Sequence, residues 1–267
     1  MIYLGTSGYS YEDWRERFYP RELPPEQWLE YYSQHFKAVE INLTFYRLPA
    51  SPVFRHWQSR TPDDFRFVLK GSQLITHTNR LRECHEQLAE FFERASELGE
   101  KLSGVLWQLP PKFPHDIELL EEFLAEVARV QIVYGKFRQA FEFRDISWFD
   151  EPVYTILKNY NAAVVLADWP FDLRIRNYEL GIGEEIGTKA NLRSTIEVPL
   201  TSDFLYLRLH GPAAAVSQPY APGDIQKFAE LVRSVEADEC DGYIFFHNTA
   251  QAYAIQNATE IKNILEV

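Results

Sequence analysis

Seven ionisable side chains of this sequence end or closely follow short apolar runs: Glu40, Lys70, Glu142, Arg144, Asp168, Arg208 and His210. Three carboxylates, three cations and an imidazole are equipment for holding a small anion and moving a proton. Lys70, Arg144 and Arg208 can neutralise a phosphate or carboxylate. Burial among opposite charges can bring an acid or an imidazole into a useful pKa range. Glu142, His210, Glu40 and Asp168 are therefore the catalytic candidates. The cations are the substrate-binding candidates, joined by Asn42, Gln108, Tyr46 and Asn248. The turn at Asn248-Thr249, ahead of the last helix, can add backbone N–H donors, as phosphate sites in barrels often do. His210 fits equally well as a satisfied wall histidine, and His77 falls on a loop.

The elements that must position these groups alternate along the whole chain. Short apolar runs near 2–6, 38–43, 65–70, 103–109, 139–144, 162–168, 203–209 and 242–247 read as strands. Between them, 81–98 and 116–130 carry apolar residues at helical spacing, the second opened by Asp116 as a cap. Asp224 and Thr249 read as caps of the last two helices, and Pro24-Pro25 precedes the first. Eight strands separated by helices predict a parallel sheet, closed or doubly wound. No linker or repeat interrupts the pattern, so residues 1–267 are expected to form one (β/α)8 barrel domain. The stretch 170–200, with Arg174, Arg176, Gly181, Gly183, Gly187, Lys189 and Arg193, breaks the pattern as an irregular insert or a degraded sixth helix.

Side chains alternate faces along a strand. Val39, Ile41 and Leu43 oppose Glu40, Asn42 and Thr44. Phe65, Phe67 and Leu69 oppose Val68 and Lys70, and Val105, Trp107 and Leu109 oppose Leu106 and Gln108. Phe141 and Phe143 oppose Glu142 and Arg144, and Leu205, Leu207 and Leu209 oppose Tyr206, Arg208 and His210. In the sixth strand Val164 and Leu166 share their face with Asp168. The uniformly apolar face belongs against helices, so the mixed face points into the barrel. Its polar residues fall mostly at carboxyl ends, the rim where barrel enzymes work. Polar groups are costly as mere packing there, although a buried ion-pair network with no catalytic role is the competing account.

Bulk composition narrows the chemistry. Net charge is −12, from 27 basic and 39 acidic residues, which opposes general attraction to nucleic acid or anionic membrane. No apolar run approaches a membrane span, and the amino terminus reads as a strand rather than a signal peptide. Cys84 and Cys240 have no zinc or redox spacing and read as structural thiols, so a cytoplasmic protein is expected. A loop of the Gly-x-x-x-x-Gly-Lys-Ser/Thr type and a Gly-x-Ser-x-Gly elbow are both absent. Glu40, Glu142, Asp168 and His210 could ligate a divalent metal, but neighbouring cations already balance them and no ligand-spaced pair supports it. Tyr9, Tyr11, Trp14 and Tyr46 could stack bases, although packing suits them better. The reading is an enzyme or binder for a small phosphorylated or carboxylated molecule, with no metal and no cofactor. Metal-dependent hydrolysis or isomerisation, an endonuclease-like activity and a non-catalytic ion-pair network are the alternatives.

Several segments are recognisable together. They are Gly5-Thr6-Ser7-Gly8-Tyr9-Ser10-Tyr11 with Trp14 and Phe18-Tyr19-Pro20, and Val39-Glu40-Ile41-Asn42 with Thr44-Phe45-Tyr46. Lys70 with Thr76-His77 and Arg80-Leu81 follows, then Gln108-Leu109-Pro110-Pro111 and Glu142-Phe143-Arg144 with Trp148. Ala167-Asp168, Arg208-Leu209-His210-Gly211 and Asn248 complete the set. In combination they resemble the domain of unknown function 72 family over essentially the whole chain. That resemblance implies a barrel related in shape to metal-dependent sugar isomerases and apurinic-site endonucleases, with no established activity. Tyr9 stands where the family pattern has Trp, and 170–200 is longer than the usual connection.

Overall fold

The computed structural model describes residues 1–168, 172–175, 195–212, 217–236 and 240–267. The strands are β1 (Ile2–Thr6), β2 (Ala38–Ile41), β3 (Arg66–Lys70), β4 (Leu102–Gln108), β5 (Arg138–Glu142), β6 (Ala162–Ala167), β7 (Asp172–Ile175), β8 (Thr195–Val198), β9 (Phe204–Leu209) and β10 (Asp241–Phe246). Eight of them form one sheet in the order β1-β10-β9-β6-β5-β4-β3-β2, with every pairing parallel. The helices are α1 (Trp28–His35), α2 (Leu43–Tyr46), α3 (Ser51–Ser59), α4 (His85–Ala95), α5 (Ile117–Tyr134), α6 (Glu151–Asn159), α7 (Pro222–Glu236) and α8 (Tyr253–Leu265). This is the expected (β/α)8 barrel. Within 170–200, β7 and β8 pair as a separate two-stranded sheet, and 176–194 lies outside the described residues.

The barrel closes between β1 and β2 by an unusual contact. A single bridge joins Ser7 to Glu40, and the Gly8 N–H donates to the Glu40 carbonyl at 2.7 Å. Deeper in the seam the Tyr32 hydroxyl, carried by α1, accepts from the Thr6 N–H at 2.8 Å and donates to the Ala38 carbonyl at 3.1 Å. The phenol thus satisfies two backbone groups that would otherwise be orphaned. Gly5 makes the close approach possible, since a Cβ there would lie 1.9 Å from the Ala38 carbonyl oxygen.

The alternation read from the sequence sorts the core into two layers. Val39, Phe67, Leu69, Val105, Trp107, Phe141, Leu205 and Leu207 pack outward with the helices. Inside, Phe204, Tyr206, Tyr243 and Phe245 cluster with Ala38, Ala140, Ala163 and Ala167. Large aromatics on β9 and β10 are thus matched by small residues on β2, β5 and β6 across the lumen.

Local differences have simple causes. β2 stops at Ile41 because Asn42 is already helical and opens α2, so Leu43 is exposed instead of facing the helices. β5 stops at Glu142. Asp116 caps α5 as expected, accepting from the Leu119 N–H at 3.1 Å. Asp224 is not a cap but lies in the first turn of α7, and the Thr249 side chain makes no capping bond to the short turn that precedes α8. Cys84 and Cys240 are both buried. Among the described residues no helix is long and apolar enough to cross a membrane.

Candidate functional site at the carboxyl-end mouth

The floor of the mouth is a layer of buried charge. Arg208, 1% exposed, donates through Nε and Nη2 to Glu40 at 3.1 and 3.0 Å, and through Nη1 to Glu142 at 2.8 Å. Glu40 also receives the Ser7 hydroxyl at 2.5 Å and the Tyr206 hydroxyl at 2.7 Å. Glu142 receives Gln108 Nε2 at 2.9 Å and Arg144 Nε at 2.5 Å. Burial alone would raise both carboxyls. The charge of Arg208 combines with Arg208, Ser7 and Tyr206 bonds at Glu40 and with Arg144 at Glu142 to outweigh burial and hold both below the usual carboxylate range. Both glutamates are therefore ionised and fully engaged.

His210 stands above this layer with its tautomer set by its neighbours. Arg208 Nη1 and Arg144 Nη2 approach its Nε2 at 3.1 and 3.2 Å. A guanidinium only donates, so Nε2 accepts and the proton sits on Nδ1. Nδ1 then donates to Asp168 Oδ1 at 3.1 Å, which also accepts from the His210 backbone N–H at 2.8 Å. The Tyr220 hydroxyl donates to the other Asp168 oxygen. His247 lies beside this pair, its Nδ1 accepting from Arg208 at 3.3 Å. Burial, followed by the charge of Arg208, pushes the His247 pKa well down, so this imidazole stays neutral.

Lys70 differs from all of these. It ends β3 on the inner face and is 7% exposed, yet its amine has no hydrogen-bond or ion-pair partner among the described residues. Nζ rests over the Phe45 ring, 4.1 Å from the centroid, a favourable contact. The backbone is pinned on both sides. Thr44 Oγ1 donates to the Lys70 carbonyl at 2.6 Å, and Gly71 lies so close to Trp107 that a Cβ there would come within 2.3 Å of the indole. Burial, then the like charge of Arg208, lowers the Lys70 pKa from 10.5 to about 8, only partly opposed by Glu142 and Glu40.

The loops around the mouth hold backbone strain. Leu74–Thr78 is a π-helical turn closed by the Asn79 N–H on the Leu74 carbonyl at 2.9 Å, a form frequent at functional sites. It sets His77 edge-on against Phe45. Arg80, Leu81 and Glu83 after β3, Lys112 after β4, and Gln251 and Ala252 after β10 all hold φ between 48° and 67°. Each costs side-chain-bearing residues roughly 1–2 kcal/mol.

Glu40, Lys70, Gln108, Glu142, Arg144, Asp168, Arg208 and His210 thus gather at one end of the barrel. Arg208 is enclosed by the floor it organises. Asp168 follows β6 and reaches the site behind His210 rather than from the inner face. Asn42 opens α2 with a buried Oδ1 that has no partner among the described residues, whereas Tyr46 is 69% exposed. Asn248 has its Nδ2 engaged by the Gln218 carbonyl and Asn257, while its buried Oδ1 has no partner among the described residues. The Thr249 N–H is taken by the His247 carbonyl at 2.9 Å, which removes the anticipated phosphate donor. Trp14 is buried with its indole N–H on the Thr249 carbonyl, so it is no base-stacking platform. Arg208 lies between the two glutamates, and among the described residues no group of three His, Cys, Asp or Glu is placed to hold a metal ion. Ser7, Tyr206, Tyr220 and His247 were not singled out from sequence. The face shared by Tyr243, Phe245 and His247 is the signal that marks His247.

The sequence pattern described as "Protein of unknown function DUF72" matches residues 3–267. This chain belongs to that family. It is 33% identical over 150 residues to the UPF0759 protein YecE of Escherichia coli K12, covering 56% of this chain and 50% of that protein. It is 30% identical to the UPF0759 protein YunF of Bacillus subtilis over 58% of this chain and 54% of the relative. The chain thus spans about half the length of these curated relatives. A DUF72 protein of Thermotoga maritima, TM1631, aligns over 100% of both chains with a TM-score of 0.78 and 27% identity.

Proposed function

We propose that the mouth of this DUF72 barrel binds a small phosphorylated or carboxylated molecule and acts on it by proton transfer. The observation that carries this reading is the Lys70 amine, largely buried at the rim with no acceptor among the described residues. An anionic ligand supplies the oxygen atoms that the fold omits there, with Arg144 beside it. Arg208, Glu40 and Glu142 form the fixed floor that orients the ligand and His210. The directions of the shifts favour Lys70 over the two glutamates as the group that exchanges a proton near neutral pH. A cytoplasmic location belongs to the same reading.

Thermal denaturation with a panel of sugar phosphates and hydroxy acids tests it. A ligand bound only to the folded state adds RT ln(1 + [L]/Kd), about 2.7 kcal/mol at a hundredfold excess over Kd. Some anions raise the melting temperature, matched neutral sugars do not, and Lys70→Ala removes the shift while remaining folded. Equal stabilisation by neutral compounds contradicts the reading.

A further inference from the structure

We infer that Lys70 is a covalent nucleophile, forming an iminium with the carbonyl carbon of a small aldehyde or ketone bound in the mouth. The inference deepens the anionic-ligand reading and depends on it only for the charge of the substrate. Geometry supplies the first argument. An amine nucleophile needs an available lone pair, a fixed position and access to the pocket. Lys70 Nζ makes no hydrogen bond to the described residues, and the amine is not fully enclosed, so it keeps contact with the mouth. Phe45 below it, Thr44 on its carbonyl and Trp107 against Gly71 restrict where it points.

Electrostatics supplies the second argument. A lysine becomes a nucleophile when it is desolvated or set beside another cation, and both hold at Lys70. With a pKa of about 8, roughly a tenth of the amines are neutral at pH 7, against about one in three thousand for an ordinary lysine. A second buried lysine among the described residues, Lys101, donates to three oxygens and offers no such lone pair.

The step balances without any oxidant or metal. Neutral Lys70 Nζ attacks the carbonyl carbon, the C–N bond forms, and the π pair moves to oxygen, which takes up the proton released from nitrogen. The carbinolamine hydroxyl accepts a second proton from solvent and leaves as water as the nitrogen pair forms C=N. The net change is a carbonyl plus a lysine ammonium giving an iminium plus water. Charge is conserved, so Glu40 and Glu142 face a cation before and after. The iminium draws electrons from the adjacent carbon, which suits a substrate that loses a proton or a carboxylate there.

The test uses the intact protein with glyoxylate, an anionic aldehyde, and cyanoborohydride, which reduces iminium ions. Peptide mass mapping locates the carboxymethyl adducts. At pH 7 Lys70 is expected to be labelled on the order of tenfold or more faster than the average lysine, and unfolding the protein in guanidinium abolishes that preference. Labelling of Lys70 no faster than surface lysines, or a preference that persists in guanidinium, overturns the inference. Acetaldehyde separates the two proposals. Equal labelling of Lys70 by acetaldehyde and glyoxylate keeps the iminium and removes the anionic substrate. Anion-induced thermal shifts without Lys70 labelling keep the anion site and remove the iminium.

Discussion

Lys101 and Lys70 lie at opposite ends of neighbouring strands, 5% and 7% exposed. Lys101, just ahead of β4, donates to the carbonyls of Gln58 and Thr61 at 2.6 and 2.7 Å and reaches the Thr61 hydroxyl at 3.5 Å. Lys70, at the carboxyl end of β3, has an aromatic ring and two nearby guanidiniums instead. Burial is nearly equal, so burial alone does not set Lys70 apart. Among the described residues the fold completes the hydrogen bonds of Lys101 and provides none for the Lys70 amine. The same contrast holds for whole ends of the barrel. At the amino end, beside a cavity of about 540 Å³, Arg138 pairs with Asp241 at 2.6 Å and stacks on Tyr243 and Phe204 with partial solvent access. That end is provided with partners. At the mouth, Lys70 has no such partner among the described residues.

The largest expected effect contrasts the two ends directly. Arg208→Ala strands Glu40 as a buried charge, leaves Glu142 to Arg144 alone, and is expected to cost about 3–5 kcal/mol by denaturant unfolding. Arg138→Ala, at a partly solvated pair, is expected to cost about 1–2 kcal/mol. Equal losses would mean that the floor of the mouth is no more tightly integrated than the opposite end.

The two lysines themselves provide the next tests. Lys101→Met leaves buried carbonyl groups unsatisfied and is expected to cost about 1–3 kcal/mol. Lys70→Met removes an unpaired, desolvated cation and is expected to stabilise the protein at pH 7 by about 1–3 kcal/mol. The pH dependence follows from the direction of the shift. Folding lowers the Lys70 pKa from 10.5 to about 8, so between these values the unfolded chain holds more protons and wild-type stability rises with pH. The advantage of Lys70→Met is therefore full below about pH 8 and closes as pH rises through 10.5. A gap that stays constant across this range shows that Lys70 is not perturbed. The smallest effect belongs to Tyr46→Ala, expected to shift stability by no more than about 0.5 kcal/mol because the ring is largely exposed.

Much of this arrangement was legible because strand parity is a local property. Glu40, Lys70, Gln108, Glu142, Arg208 and His210 alternate with apolar residues that face the helices, and period-two reading finds them. The same reading extended to β10 reaches His247, and extended through β1 it reaches Ser7. Pairing across the lumen was not legible. Three cations balance three carboxylates on paper, but only the three-dimensional arrangement puts Arg208 between two glutamates and leaves Lys70 without either. Asp168 was found despite its parity, because the chain turns after Ala167 and carries the carboxylate behind His210. The partners of Asn248, Gln218 and Asn257, were not legible, because they are brought together by packing of the last helix. The left-handed residues Arg80 and Leu81 are ordinary in composition, so strain there leaves no trace in the sequence.

The most direct test is a titration of the Lys70 side chain itself. Lysine labelled with 15N at Nζ, assigned by comparison with Lys70→Met, reports protonation by chemical shift as pH is raised. An inflection near pH 8 for Lys70, moving upward when an anion that stabilises the protein is added, is the expected result. An inflection at the ordinary lysine value of 10.5, unmoved by anions, contradicts the claim that the barrel holds this amine open for a ligand.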